Sequence, residues 1–206
     1  NPNVTWETAL KQNYGIDAYF FNDRLRMSVD YFIEKRKDIL IQRATIPSLI
    51  AMGGGILPVV NMGKVNNKGY EIDLKWNDKV KDVSYFVNAN VSYAKNKVIF
   101  QDEVEPNEPY QWRTGQEVGA RFGYVALGFY NKDDFSADGT VKDNLPQPTA
   151  KVYPGDVKYA DLNGDNVIDN DDQKKIGNPK RPAYTFGLNF GAEYKGFFAS
   201  MNWTGV

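Results

Sequence analysis

The chain contains no cysteine and no histidine among its 206 residues. Without cysteine there is no disulfide framework and no thiolate chemistry. Without histidine, Ser-His-Asp catalysis, Cys-His catalysis and ordinary zinc sites are excluded within this chain. The two absences remove most of the common catalytic arrangements and structural metal centres.

Long apolar runs and an excess of one charge are also missing. The formal net charge is -1 at pH 7, which gives no electrostatic reason to expect nucleic acid or a polybasic membrane patch. No stretch approaches the apolar run of about 18 residues that a membrane helix needs. The opening Asn1-Pro2-Asn3 has neither the basic start nor the apolar core of a signal peptide, so we expect an excerpt of a longer protein.

Aromatic residues, by contrast, reach 14% of the chain, and period-2 alternation is its dominant pattern. Apolar and polar residues alternate clearly in five segments and more weakly in a sixth, 14–21. The clear segments are 25–33, 70–76, 83–93, 184–194 and 197–204, with Phe32 as the exception in the first. No comparable stretch repeats every 3.6 residues. The pattern predicts an all-β, antiparallel fold with essentially no long helix.

Alternation alone suits either a soluble sheet with one wet face or a membrane barrel with a wet lumen. The apolar faces end in aromatic residues, as the interfacial girdles of membrane barrels do. These terminal residues are Tyr70 and Trp76, Tyr85 and Tyr93, and Tyr184 and Tyr194. The aromatic ends therefore favour the transmembrane β-barrel.

The predicted connections alternate in length, which points the same way. Segments 22–24, 77–82 and 195–196 are short, whereas 42–65 and 99–182 are long. Outer-membrane barrels have short periplasmic turns and long extracellular loops. We therefore expect both long connections outside the cell. Because about eight strands are the practical minimum for closure, residues 1–206 would supply only part of one barrel domain.

One segment, 161–172, carries a metal-binding pattern. Oxygen side chains stand at positions 1, 3, 5, 9 and 12 of a twelve-residue loop, which is the EF-hand spacing for calcium. The predicted ligands are Asp161, Asn163, Asp165, the carbonyl of Val167, Asp169 and Asp172. Asn166 replaces the usual glycine at position 6 but tolerates positive φ, and Asp172 is shorter than the usual glutamate. The last feature resembles the dockerin variant of the loop.

No helix is evident before this loop, so a structural clamp is favoured over a calcium switch. Ile168, at position 8, is expected to pack back on the protein. The alternative is a polar Asn/Asp/Gly-rich turn that binds nothing.

Other candidates are weaker. Gly53-Gly54-Gly55 lacks the lysine and Ser/Thr of a phosphate loop and is interpreted as part of a mobile apolar loop. Tyr110 and Trp112 are candidates for stacking on a sugar or meeting a partner, with plain loop packing as the alternative. Four acidic residues could suggest a glycosidase pair but fit a solvated loop better. They are Asp102, Glu103, Glu105 and Glu108.

Several blocks resemble the C-terminal barrel segment of SusC-like (RagA-like) TonB-dependent transporters, and they occur in family order. They are Asn1 to Thr8 with Asn13 to Asp17, Asp30 to Phe32 with Lys37 to Leu40, Asn61 to Glu71, and Pro154 to Tyr159 leading into Asp161 to Asp172 and Ile176 to Pro179. The resemblance implies a 22-stranded barrel in the outer membrane of a Bacteroidetes-type bacterium. Because the chain has no histidine or cysteine and no evident carboxylate pair, we also expect no enzyme activity. The resemblance further implies a plug outside this chain, energy from TonB, a SusD-like lipoprotein lid, and glycan or sometimes peptide cargo.

Two other classes stay open at this point. A secreted glycan-binding β-sandwich with a structural calcium would need no lipid-facing stripe. A glycoside hydrolase fragment would need two carboxylates at a fixed separation.

Overall fold

The computed structural model describes residues 4–45 and 59–206, and in these ranges the chain is built from β-strands and three short 3-10 turns. The predicted all-β fold without a long helix is confirmed for them, and none of their helical turns could cross a membrane. Gly53-Gly54-Gly55 and Asn1-Pro2-Asn3 lie outside the described residues. The strands are β1 (Thr8–Phe20), β2 (Leu25–Gln42), β3 (Val59–Val80), β4 (Val83–Phe100), β5 (Arg121–Gly123), β6 (Ala126–Phe129), β7 (Gln147–Pro148), β8 (Val157–Tyr159), β9 (Val167–Ile168), β10 (Lys174–Gly177), β11 (Tyr184–Tyr194) and β12 (Phe197–Gly205).

The chain divides into two compact units. The first, Asn1–Glu103 with Lys180–Val206, holds one antiparallel sheet of six described strands in the order β1-β2-β3-β4-β11-β12. Neighbours in sequence are neighbours in the sheet except that β11 follows β4, because the second unit, Val104–Pro179, is inserted between them. The simple up-and-down order is the one expected for a barrel wall.

Three strands are longer than the alternation predicts. The predicted connection 42–65 is wrong at its second half, since β3 already begins at Val59, and β4 runs on to Phe100. The extra residues pair with β2 and β4 although their side chains do not alternate cleanly. A bulge near Asp38, which has φ 58°, keeps β2 in register with β3 through this part. Backbone pairing therefore extends the strands where the side-chain pattern gives no signal.

The hairpin turns are short and lie at one end of the sheet, whereas the long connections leave from the other. The chain turns at 21–24, 81–82 and 195–196. Lys195 and Gly196 both have positive φ, 47° and 85°, as a two-residue type I′ hairpin requires. The predicted alternation of short and long connections is confirmed.

The strand register brings the apolar sides of all six strands onto one face of the sheet. Cross-strand neighbours along it include Val29 with Ile72, Ile72 with Val91, and Phe186 with Val91. This apolar face is open in the described chain: Ile16 keeps 67% and Trp203 58% of its surface accessible. Such a face needs lipid or another apolar surface against it.

Aromatic residues border the apolar face at both ends, as predicted. At the end nearer the long connections, one residue of each of five strands forms a row in register, here called the tyrosine row: Tyr14, Tyr31, Tyr70, Tyr93 and Tyr184. Within this row the ring centroids of Tyr93 and Tyr184 are 4.4 Å apart. At the other end the indole N–H of Trp76 donates to the hydroxyl of Tyr85 at 3.3 Å. From Tyr70 to Trp76 the strand rises about 20 Å, which approaches the apolar band of a membrane barrel.

The opposite face is polar, with a few aromatic rings seated on glycines. Phe32, the exception in the sequence pattern, lies where a Cβ on Gly69 would meet its ring at 2.6 Å. Phe86 covers Gly191 in the same way and stacks on Phe198 with ring centroids 6.4 Å apart. Glycine thus makes room for an aromatic ring on a neighbouring strand, which explains why Phe32 departs from the alternation.

The second unit is folded from short paired segments, so the predicted connection 99–182 is more than a loop. It contains the pairs β5–β10 and β6–β8, both antiparallel, and the parallel pair β7–β9. Its small core includes Tyr130, Val141 and Ile168, all buried. The Lys158 ammonium lies 2.8 Å from the Asp134 carboxylate, and this bond lowers the pKa of Asp134.

The apolar face generates a test of lipid contact. Val87 lies on that face and Asn88 on the polar one, so Val87→Arg should destabilise the full-length barrel by about 2–4 kcal/mol while Asn88→Arg costs little. The measurement is the folded fraction in a denaturant titration in lipid, read by heat-modifiable gel mobility. Equal tolerance at the two positions would contradict a lipid-facing assignment.

Candidate functional site

Among the described residues, clefts are found on the polar face of the sheet, and two of them are lined by several strands. The larger has a volume of about 630 Å³ and lies over β4, β11 and β12. Its polar lining is made of uncharged amides and hydroxyls: Asn88, Asn90, Thr185, Asn189, Asn202 and Thr204. Among the described residues, the buried Oδ1 of Asn189 has no hydrogen-bond partner. This surface suits a neutral molecule or protein segment that can form hydrogen bonds.

The smaller cleft, about 290 Å³, lies on the same face over β2, β3 and β4 and is acidic. Asp30, Glu71 and Asp73 line it together with Ser28, Asn90 and Ser92. The hydroxyl of Ser92 lies 3.5 Å from a carboxylate oxygen of Glu71, and Asp73 pairs with Lys75 at 3.1 Å. The sequence showed these residues as the wet side of an alternation but carried no signal that they line a cleft.

The loop 161–172 belongs to the second unit and is organised around its own carboxylates. Asp161 accepts the backbone N–H of Gly164 on Oδ1 at 2.6 Å and that of Asn166 on Oδ2 at 2.8 Å. Asp165 Oδ1 accepts the N–H of Val167 at 2.8 Å. Asn166 has φ 66°, so the predicted tolerance of asparagine for positive φ at position 6 is confirmed.

Asp172 closes the loop from its far end. The side chain is fully buried, and its Oδ1 accepts the N–H of Leu162 at 2.6 Å while Oδ2 accepts that of Asp169 at 3.0 Å. Asp169 in turn accepts the N–H of Asp171 at 2.8 Å and begins the 3-10 turn Asn170–Asp172. The last predicted ligand therefore joins the first and last thirds of the loop.

The residues fit a calcium loop in donor chemistry, although their side chains do not converge. Within residues 4–45 and 59–206, no three acidic side chains are gathered as a metal cluster. Each carboxylate oxygen that accepts an amide N–H keeps further lone-pair capacity, and calcium accepts flexible arrangements of six to eight oxygens. Six groups could supply them: Asp161, Asn163, Asp165, the Val167 carbonyl, Asp169 and Asp172.

Two contacts that the sequence did not signal hold this loop in place. β9 lies inside the loop and pairs in parallel with β7, where Gln147 donates its N–H to the Asn166 carbonyl at 2.9 Å. Ile168 is buried, as predicted for position 8. The hydroxyl of Tyr110 donates to the carbonyl of Asp171 at 2.6 Å. No periodicity or motif marks β7 or Tyr110 as partners of the loop.

The structure separates the two aromatic candidates. The Tyr110 hydroxyl donates its hydrogen bond to the Asp171 carbonyl of the loop. Burial is the main cause that raises the pKa of this hydroxyl, and nearby carboxylates, Glu108 first, raise it further. Tyr110 therefore contributes to the packing of this loop, and a role of its ring toward cargo or a partner stays a prediction. Trp112 follows the 3-10 turn Pro109–Gln111 and is half-buried, so part of its indole is accessible.

Asp102, the first of the acidic residues after β4, does not have the properties of a general acid. Asp102 accepts hydrogen bonds from the Thr45 hydroxyl at 2.7 Å and from the N–H of Ala44 at 2.8 Å. The Thr45 bond is the main cause that lowers the pKa of Asp102, whereas a general acid needs a raised pKa. Asp102 thus ties the chain after β4 to the chain after β2.

Comparison with known proteins agrees with this geometry. The family model described as "TonB dependent receptor-like, beta-barrel" matches residues 1–204. Among curated proteins of Formosa agariphila, the TonB-dependent receptor P3 is 31% identical over 96% of this chain and 20% of its own length. The TonB-dependent receptor P26 is 28% identical over 100% of this chain and 21% of its own length. The chain therefore spans about a fifth of the relatives it matches.

Solved structures show the same fold. The RagAB peptide importer in its closed-closed state matches 99% of this chain and 21% of its own, with a TM-score of 0.67 and 21% sequence identity. The open-open state of the same importer gives a TM-score of 0.65 at 22% identity. The family model that matches residues 1–204 shows that the chain belongs to the TonB-dependent receptor-like β-barrel family, whose members are outer-membrane receptors and transporters rather than enzymes.

Proposed function

We propose that the longer protein containing this chain imports oligosaccharides across the outer membrane, with energy from TonB and a SusD-like lipoprotein as its lid. This chain supplies barrel strands and one folded extracellular unit. The observation that carries the proposal is the six-stranded sheet, with an apolar face suited to lipid and a polar face suited to a wet lumen. The family assignment sets aside a secreted β-sandwich and a glycoside hydrolase fragment.

The orientation follows from the connections. In outer-membrane barrels the short turns are periplasmic and the long loops extracellular. The turns at 21–24, 81–82 and 195–196 would then face the periplasm, and the unit Val104–Pro179 would face the outside.

The cargo class rests on the chemistry of the larger cleft. Its amides and hydroxyls are uncharged and hydrogen-bond in both directions, which suits neutral, hydroxyl-rich molecules. Peptide is the second candidate, because the matched RagAB structures are described as a peptide importer. The carboxylates of the smaller cleft would suit a cationic peptide rather than a neutral sugar.

The loop 161–172 is proposed to bind one calcium ion through the six oxygen donors named above. The ion would offset repulsion among four carboxylates: Asp161, Asp165, Asp169 and Asp172. Because β7 and Tyr110 already hold the loop, bound calcium would stiffen an existing surface rather than switch a helix pair. The proposed role of the ion is therefore structural.

Deleting the parent gene should abolish uptake of a labelled oligosaccharide in whole cells and leave peptide uptake unchanged. Collapsing the proton gradient or deleting TonB should also abolish uptake of the oligosaccharide, because the energy for import comes from the inner membrane. The measurement is cell-associated fluorescence after washing. Loss of peptide uptake alone would identify the second cargo class, and unchanged uptake of both would refute an import role.

Asp165→Ala should remove calcium binding and expose the chain near Lys174 and Lys175 to protease while leaving β-sheet content unchanged. The measurements are calorimetric calcium titration, limited proteolysis and circular dichroism of the full-length protein. Asp138→Ala is the matched control, because the Asp138 carboxylate accepts hydrogen bonds from Thr140 within a turn outside the loop. Absence of calcium heat in the unaltered protein at millimolar metal would reduce the motif to a polar turn.

Trp112→Ala should weaken cargo binding or lid association about tenfold, the usual effect of truncating an aromatic anchor. Tyr110→Phe should leave both unchanged, because its hydroxyl is donated to Asp171. Cargo affinity and co-purification of the lid are the two measurements. Wild-type values of both in Trp112→Ala would leave this residue a packing role only.

A further inference from the structure

Asn163 is the only asparagine in the chain that is followed by glycine. This dipeptide is chemically labile, because glycine has no side chain to shield its backbone nitrogen and its backbone turns easily toward the preceding amide. Gly164 is exposed, and a Cβ added to it would meet no described atom within 4 Å. The surroundings therefore place no steric barrier against a reaction at this position.

The reaction is spontaneous deamidation, which needs no oxidant, reductant or cofactor. The backbone nitrogen of Gly164 gives up its proton and forms a bond to the side-chain carbon Cγ of Asn163. The bond between Cγ and Nδ2 breaks, and the amide nitrogen leaves as ammonia together with that proton. Water then opens the cyclic imide at one of its two carbonyls, which leaves aspartate or isoaspartate at position 163.

Hydrogen bonds hold both reacting groups in the folded loop. The N–H of Gly164 donates to Oδ1 of Asp161 at 2.6 Å, which fixes the direction of this peptide group. The amide of Asn163 is held by Asp165, because Nδ2 donates to Oδ2 of Asp165 at 3.0 Å and Oδ1 accepts the Asp165 N–H at 3.1 Å. Ring closure needs a different orientation of the amide and the peptide group, so these bonds must open first.

We propose that Asn163 is a deamidation site that is protected while Asp161 and Asp165 hold the loop closed and becomes reactive when the loop opens. A protected group reacts only in the fraction of molecules whose segment has opened, so the rate measures local opening.

Both products weaken the closed loop. Aspartate at position 163 places a carboxylate where the Asn163 amide now donates to Asp165, and like charges at this distance repel. Isoaspartate adds a methylene to the main chain before Gly164, which displaces the N–H that Asp161 accepts. The reaction therefore converts a transient opening of this loop into a lasting one.

The test compares the full-length protein, purified in detergent with a calcium chelator, with the same protein unfolded in guanidinium chloride. Both are kept at neutral pH, and the peptide that contains Asn163 is analysed by mass spectrometry for replacement of the amide by a carboxyl group. The folded protein should react at least about tenfold more slowly than the unfolded one. The chelator makes the result independent of the proposed calcium ion, and no part of the assay depends on import.

Asp161→Ala removes the carboxylate that holds Gly164 and should raise the rate in the folded protein about tenfold. Asp161→Asn keeps one acceptor oxygen and should react at an intermediate rate, which preserves the test if the alanine variant does not fold. The matched control is Asp171→Ala, which removes an acidic side chain of the same segment that bonds Asn107 instead. This control should react as slowly as the unaltered protein.

Three results would overturn the proposal: equal rates in the folded and unfolded protein, no increase in either Asp161 variant, or the same increase in Asp171→Ala. A slower reaction in Asp161→Ala would also overturn it, because the carboxylate would then promote the reaction by accepting the Gly164 proton.

Discussion

Backbone hydrogen bonding between antiparallel strands is the constraint on which the rest of this structure depends. Inside lipid no water is available to bond a free N–H or C=O, so every strand must find its partners in neighbouring strands. Pairing with a fixed register then decides which side chains meet lipid, because a shift of one residue would turn a whole strand over. The pairing of Tyr31, Tyr70 and Tyr93 marks that register across the centre of the sheet.

The two faces and the two ends of the sheet have separate roles as a consequence. The apolar face is bordered by aromatic residues at both ends, while the polar face carries the clefts. One end is closed by tight turns with positive φ, and the other leads into a unit with its own strands and core. A long connection at a surface destabilises the fold only slightly, because the entropic cost of loop closure grows slowly with loop length. A barrel wall can therefore carry an inserted folded unit without a change in its own register.

In the second unit, side chains rather than neighbouring strands bond some of the backbone N–H groups. The loop 161–172 is too irregular for a ladder, so its carboxylates accept the amides that a strand would have satisfied. Asp172, fully buried, bonds two of them. This arrangement keeps five acidic side chains, including Asp171, in one short segment, and their oxygens are the hard ligands that calcium prefers.

The sequence by itself determined the strand type, the apolar and polar faces, the aromatic borders, the alternation of connection lengths and the positions of the loop's oxygen donors. Each of these features depends on the spacing of residues along the chain, because that spacing fixes which face of a strand or which position in a loop a side chain takes. Only the tertiary structure decided that β3 begins at Val59, that Phe32 lies over Gly69, and that β7 and Tyr110 hold the loop. It also brought Lys68 opposite Lys95. These features depend on which distant residues become neighbours. Backbone pairing between strands decides this, and the residue pattern of neither strand shows which partner it will have.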